Sequence, residues 1–83
     1  MLEGWKKEDH TLVLELTVGD FIDAVEFINQ VAKVAEEMDH HPDVLIHRYN
    51  QVRLTTTTHS AGGLSEKDYD LAEAINQLVA QFV

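Results

Sequence analysis

His40, His41 and His59, together with Glu36 and Asp68, are the side chains of this 83-residue sequence best suited to moving protons. Imidazole titrates near neutrality, so one histidine can donate a proton while another accepts one. Elimination of water needs that pairing: an acid for the departing hydroxyl and a base for the proton that must leave. Glu36 lies one helical turn before His40, so the two share a face. With a hairpin turn centred near residue 50, antiparallel positions summing to about 100 stand opposite each other. His41 then falls beside His59, about 5 Å away across adjacent strands. Asp68 opens the helix that follows the loop after His59. Residues distant in sequence thus gather at one end of the sheet, which makes the group a candidate site.

Each member also has a plainer role. His40 can satisfy loose carbonyls at a helix end, and His41 can be a turn residue before Pro42. His59 can end a strand, and Asp68 can cap Ser65. His10 and His47 read as surface or strand histidines. The joint placement carries the functional reading, not any single residue. Glu36, His40, His41 and His59 also offer nitrogen and oxygen ligands to a metal ion. Adjacent histidines rarely both reach one ion, however, so the preferred reading is acid–base chemistry with no metal and no cofactor.

The elements that position these residues follow from periodicity. Thr11–Val18 alternates, with Leu12, Leu14, Leu16 and Val18 on one side, as in a half-buried strand. Leu2–Lys7 reads as a short first strand that turns at Glu8-Asp9-His10. After Gly19-Asp20 the period becomes 3.6, with Phe21, Ala24, Val25, Ile28, Val31, Ala32 and Ala35 on one stripe. That helix should stop near His40, because a residue before proline is pushed out of the α region. Val44–Tyr49 and Val52–Thr58 read as two strands joined tightly at Asn50-Gln51. Ser65-Glu66-Lys67-Asp68 has the form of a capping box. The last helix presents Leu71, Ala72, Ile75, Leu78, Val79 and Phe82 on one face. The order β-β-α-β-β-α, with one-sided helices, predicts an α+β two-layer sandwich over a four-stranded antiparallel sheet.

Composition narrows the function. The length fits one domain, residues 1–83. No cysteine is present, which removes disulfides, thiolate zinc sites, iron–sulfur clusters and cysteine nucleophiles together. Fifteen acidic against six basic residues give a formal charge of −9. Such a surface repels phosphate backbones, so neither nucleic acid nor anionic membrane is an expected partner. No apolar run reaches the roughly 20 residues of a bilayer span, and no signal-peptide pattern is seen, so the expected location is the cytoplasm.

At the candidate site the sequence becomes recognisable. Glu36-x3-His40-His41-Pro42, followed by Tyr49, His59 and Asp68, closely resembles the signature of the pterin-4a-carbinolamine dehydratases. Trp5, Asp20-Phe21, Thr58-His59 and Gly63-Leu64-Ser65-x-x-Asp68 extend the match over roughly residues 5 to 82. The resemblance implies dehydration of 4a-hydroxytetrahydropterin to quinonoid dihydropterin without a metal, in recycling of a tetrahydrobiopterin-type cofactor. It implies that His40, His41 and His59 carry the acid–base steps. Asp39, Pro42, Thr57, Thr58 and Ser60 would contact the pterin with Glu36, and Asp68 would sit beside His59. The expected partners are a small pterin and further copies of the chain, as a homodimer or homotetramer. Nothing in the sequence supports the role that animal members have as partners of a homeodomain transcription factor. His40, at the negative end of a helix, suits the proton donor, and His59, among neutral threonines, the acceptor. A non-catalytic pterin-binding or assembly-assisting module of the same fold is the competing reading.

Overall fold

The computed structural model describes residues 2–83. Strands β1 (Trp5–Glu8) and β2 (Thr11–Thr17) precede the long helix α1 (Phe21–Met38). Strands β3 (Asp43–His47) and β4 (Gln51–Thr56) follow, then a short 3-10 turn at His59–Ala61 and helix α2 (Glu66–Val79). All pairings are antiparallel, in the spatial order β1-β2-β4-β3. This is the α+β arrangement that the alternation of periods predicts.

Both helices cover one face of the sheet. Leu14, Val18, Val52 and Leu54 meet Ala24, Phe27 and Val31 of α1 and Leu71 and Ile75 of α2 in one buried cluster. Phe82, beyond the end of α2, closes the cluster edge-on to Phe27, with ring centroids 5.3 Å apart. The stripe expected on α1 is rotated in the structure. Ala24, Phe27, Val31 and Ala35 are its buried residues, while Phe21, Val25 and Ala32 are exposed. The helix carries two apolar rows, and only one points at the sheet. The other flanks edge strand β3, where Ile28, Ala32, Pro42 and Val44 line a small apolar cleft.

The ends of α1 explain the placement of the histidines. Asp20 caps the start by accepting the Asp23 N–H at 2.8 Å. At the other end Asp39 adopts the left-handed conformation, φ 51°. The His40 N–H then donates back to the Ala35 carbonyl at 3.1 Å, which is the Schellman pattern. The chain reverses there and enters β3 after Pro42.

The β3–β4 hairpin corrects the expected geometry. His47 pairs with Gln51 and Asp43 with Thr55, so the connection is Arg48-Tyr49-Asn50 and paired positions sum to 98. Arg48 and Tyr49 both take left-handed backbone conformations. Asn50 is drawn towards β2, accepting the Val18 N–H at 2.9 Å while its side chain donates to the Val18 carbonyl. The ladder ends at Asp43, and the chain turns at His59, so His41 and His59 are not paired across adjacent strands.

Deleting the Phe27 ring, fully buried, should cost about 3–5 kcal/mol. Phe21→Ala, at a position 54% exposed, should cost less than about 1 kcal/mol. Urea unfolding of the two variants checks this, and equal losses would put Phe21 in the core.

Candidate active site

The centre of the site is the Asp68 carboxylate, which is completely buried. Its Oδ1 accepts the Thr56 hydroxyl and an imidazole N–H from His40 Nε2, each at 2.7 Å. Its Oδ2 accepts the Thr58 hydroxyl at 2.7 Å and the Ser65 backbone N–H at 3.0 Å. Two carboxylate oxygens offer about four acceptor directions, and all are filled. Burial alone pushes the Asp68 carboxyl up, but the bonds from His40, Thr58, Thr56 and Ser65 outweigh it and hold it below the ordinary carboxylate range.

An ionised Asp68 fixes the proton positions around it. His40 Nε2 must carry a proton, and so must the Thr58 hydroxyl. A hydroxyl has one hydrogen, so the Thr58 Oγ1–Ser65 Oγ contact of 2.7 Å runs from Ser65 as donor to Thr58 as acceptor. Ser65 Oγ in turn accepts the Lys67 N–H at 3.3 Å, at the start of α2. The result is a directed chain of donors ending on Asp68. No buried side-chain nitrogen or oxygen among the described residues lacks a partner, so His40 Nδ1, which has none among those residues, opens to solvent. His40 is thus an oriented imidazole with one free ring nitrogen.

His41 points the other way. It is 57% exposed and its Nε2 bonds Glu36 Oε2 on the last turn of α1. His59 starts the 3-10 turn and lines an open pocket of about 310 Å³ with His10, Thr11, Thr57, Gly62 and Gly63. The partnerships therefore differ from those expected. Asp68 pairs with His40 and not with His59, because Thr56 and Thr58 hold the carboxylate under β4. Glu36 pairs with His41 and not with His40, because the left-handed Asp39 swings His40 inward. With these partners Glu36, His40, His41 and His59 do not form the metal cluster weighed above; no three such groups among the described residues converge in that way.

The expected substrate contacts divide as well. Thr58 is buried and its hydroxyl is committed to Asp68 and Ser65. Thr57, on the opposite side of the strand, donates to the His10 carbonyl at 2.7 Å. Asp39 and Ser60 are exposed, and Pro42 lies against His41 in the apolar cleft. Thr56 was not among the expected residues. Alternation along β4 marks it, since residues 52, 54, 56 and 58 share the buried side.

Asp68→Asn sets an NH2 group against one pair of these donors. The variant should lose about 2–4 kcal/mol of stability at pH 7. The contribution of a carboxylate with a lowered folded pKa is complete above its ordinary value near 4 and drains as pH falls through the lowered one. The gap between the two proteins should therefore shrink as the solution is acidified below about pH 4, as urea titrations at each pH would show. A gap that widened over that acidic range would mean that Asp68 is protonated in the folded protein.

Comparison with known proteins agrees with this arrangement. The sequence profile described as Pterin 4 alpha carbinolamine dehydratase matches residues 1–78. A protein of Nostoc punctiforme, provisionally named a pterin-4-alpha-carbinolamine dehydratase, is 46% identical over 94% of this chain and 83% of its own length. A Sulfolobus acidocaldarius protein with the same provisional name is 43% identical over 93% of this chain and 84% of its own. A crystal structure from Brucella melitensis, described as a transcriptional coactivator/pterin dehydratase, superposes with a TM-score of 0.85 at 37% identity, covering 92% of this chain and 82% of that one. A pterin dehydratase-like protein identified as a RuBisCO assembly factor superposes with a TM-score of 0.71 over 89% and 84% of the two chains. At 17% identity it shares the fold alone. By profile, by sequence and by fold, the chain belongs to the pterin-4a-carbinolamine dehydratase family.

Proposed function

We propose that this protein catalyses the loss of water from 4a-hydroxytetrahydropterin, giving quinonoid dihydropterin in recycling of a tetrahydrobiopterin-type cofactor. The family match supports the substrate class, and the Asp68–His40 pair is the observation that supports catalysis. The reaction breaks the C–OH bond and removes a ring N–H proton as a C=N bond forms. His40, protonated on Nδ1, gives its proton to the departing hydroxyl, and the Asp68 carboxylate balances the charge that this imidazole carries beforehand. His59, with no side-chain partner among the described residues, takes the ring proton. His41 and Glu36 line the rim, with Asp39, Pro42, Thr57 and Ser60 as contacts to the pterin. Thr58 and Thr56 act through Asp68 as positioning residues. A flat ring without charge needs no cationic patch, which suits a chain of formal charge −9.

The working form in this reading is a cytoplasmic homodimer or homotetramer. Strand β3 supports it, being an edge strand with Val44 and Leu45 exposed.

The test is dehydration of chemically generated 4a-hydroxytetrahydropterin, followed by absorbance. His59→Ala should lower turnover by about 10²–10⁴-fold with little change in melting. His40→Gln, whose amide can still donate to Asp68, should lower it comparably, while His47→Ala should leave it unchanged. Turnover should survive exhaustive chelation. A wild-type protein that binds a dihydropterin without turning over the carbinolamine would favour the binding or assembly module instead.

A further inference from the structure

His10 lines the same open pocket as His59. It ends the two-residue turn Asp9-His10 between β1 and β2, where Glu8 and Thr11 close the ladder. Two contacts hold it in place. The Thr57 hydroxyl grips its carbonyl at 2.7 Å, and its ring lies over Gly63. A Cβ built on that glycine would meet His10 Cβ and Nδ1 at 3.5 Å and Cγ at 3.6 Å. The chain at Gly63 therefore passes beside the imidazole as bare backbone. The His10 side chain is exposed and makes no hydrogen bond to another described residue. Across the open pocket of about 310 Å³ it shares with Thr57 and Gly63 stands His59.

An imidazole on a hairpin turn, packed against glycine in a pocket shared with His59, offers a flat ring beside the proposed proton acceptor. Flat heterocycles pack on such surfaces. We propose that His10 is a substrate-contacting residue, a wall against which the pterin packs at the His59 end of the site. This inference rests on the dehydratase reading above. The role is binding, not proton transfer: packing on an imidazole needs its ring and not its nitrogens.

Three substitutions separate the possibilities. His10→Ala should weaken binding of a 7,8-dihydropterin, followed by its own fluorescence, and raise KM for 4a-hydroxytetrahydropterin, each about five- to tenfold, with kcat within about twofold of wild type. His10→Phe keeps a flat ring and should restore both to within about twofold, whereas His10→Gln should not. Melting should not change in any of the three, since the bond from Thr57 goes to the backbone. Unchanged binding in His10→Ala overturns the proposal, as does a fall in kcat at constant KM. Rescue by Gln and not by Phe also overturns it, making His10 a polar partner. If wild-type protein is active and His10→Ala is indistinguishable from it, only this inference falls. If wild-type protein neither binds nor dehydrates the pterin, the dehydratase reading falls and takes this one with it.

Discussion

One buried carboxylate organises this structure. A charged group without partners costs several kcal/mol to bury, and losing a single partner from a buried ion pair costs about 3–5 kcal/mol. Asp68 is tolerated at zero exposure because four donors reach it from three separate segments. His40 comes from the end of α1, Thr56 from β4 and Thr58 from just beyond it, and Ser65 from the entry to α2. The positive end of the α2 dipole adds to the same effect. The carboxylate can therefore be satisfied only when helix end, strand and helix start are all in place. The interaction that stabilises this corner of the fold is also the one that orients its imidazole.

That double role removes an apparent choice. A carboxylate at the N3 position can be explained fully as a helix cap, and Asp68 does complete the capping box with Ser65. Only one of its four bonds serves that purpose. The bonds to His40, Thr56 and Thr58 reach out of the helix, and capping does not require them. Structural and positioning roles coexist because the two oxygens offer more acceptor directions than a helix start can fill.

The elements were legible in the sequence because their periods are clean, as in the alternation of Leu12, Leu14 and Leu16. The corners were less so. Left-handed turns are usually marked by Gly or Asn, but here Asp39, Arg48 and Tyr49 occupy them, and nothing in those residue types announces the conformation. Two consequences followed at the site. The hairpin register moved, separating His41 from the strand position opposite His59, and the Asp39 reversal gave His40 to Asp68 and left Glu36 to His41. On α1, Phe21 and Phe27 belong to different apolar rows, and the single stripe expected through Phe21 leaves Phe27 out. The candidate residues could be singled out by type and spacing, whereas their partners depended on backbone conformations that tertiary contacts impose.

The run Thr55-Thr56-Thr57-Thr58 looks like low-information strand sequence, yet its members have unlike fates under substitution. Thr56 and Thr58 face inward and each gives its only hydroxyl hydrogen to Asp68. Serine alone among the natural side chains of smaller size keeps that hydrogen, so drift at these two positions is confined to a pair of residues. Thr55, paired with Val13 and Asp43 on the outer face, has no such duty and is free to vary with the surface around it. Thr57 is constrained by its tie to the turn at His10. Four identical letters thus contain two different mutational regimes, alternating with the pleat of the strand.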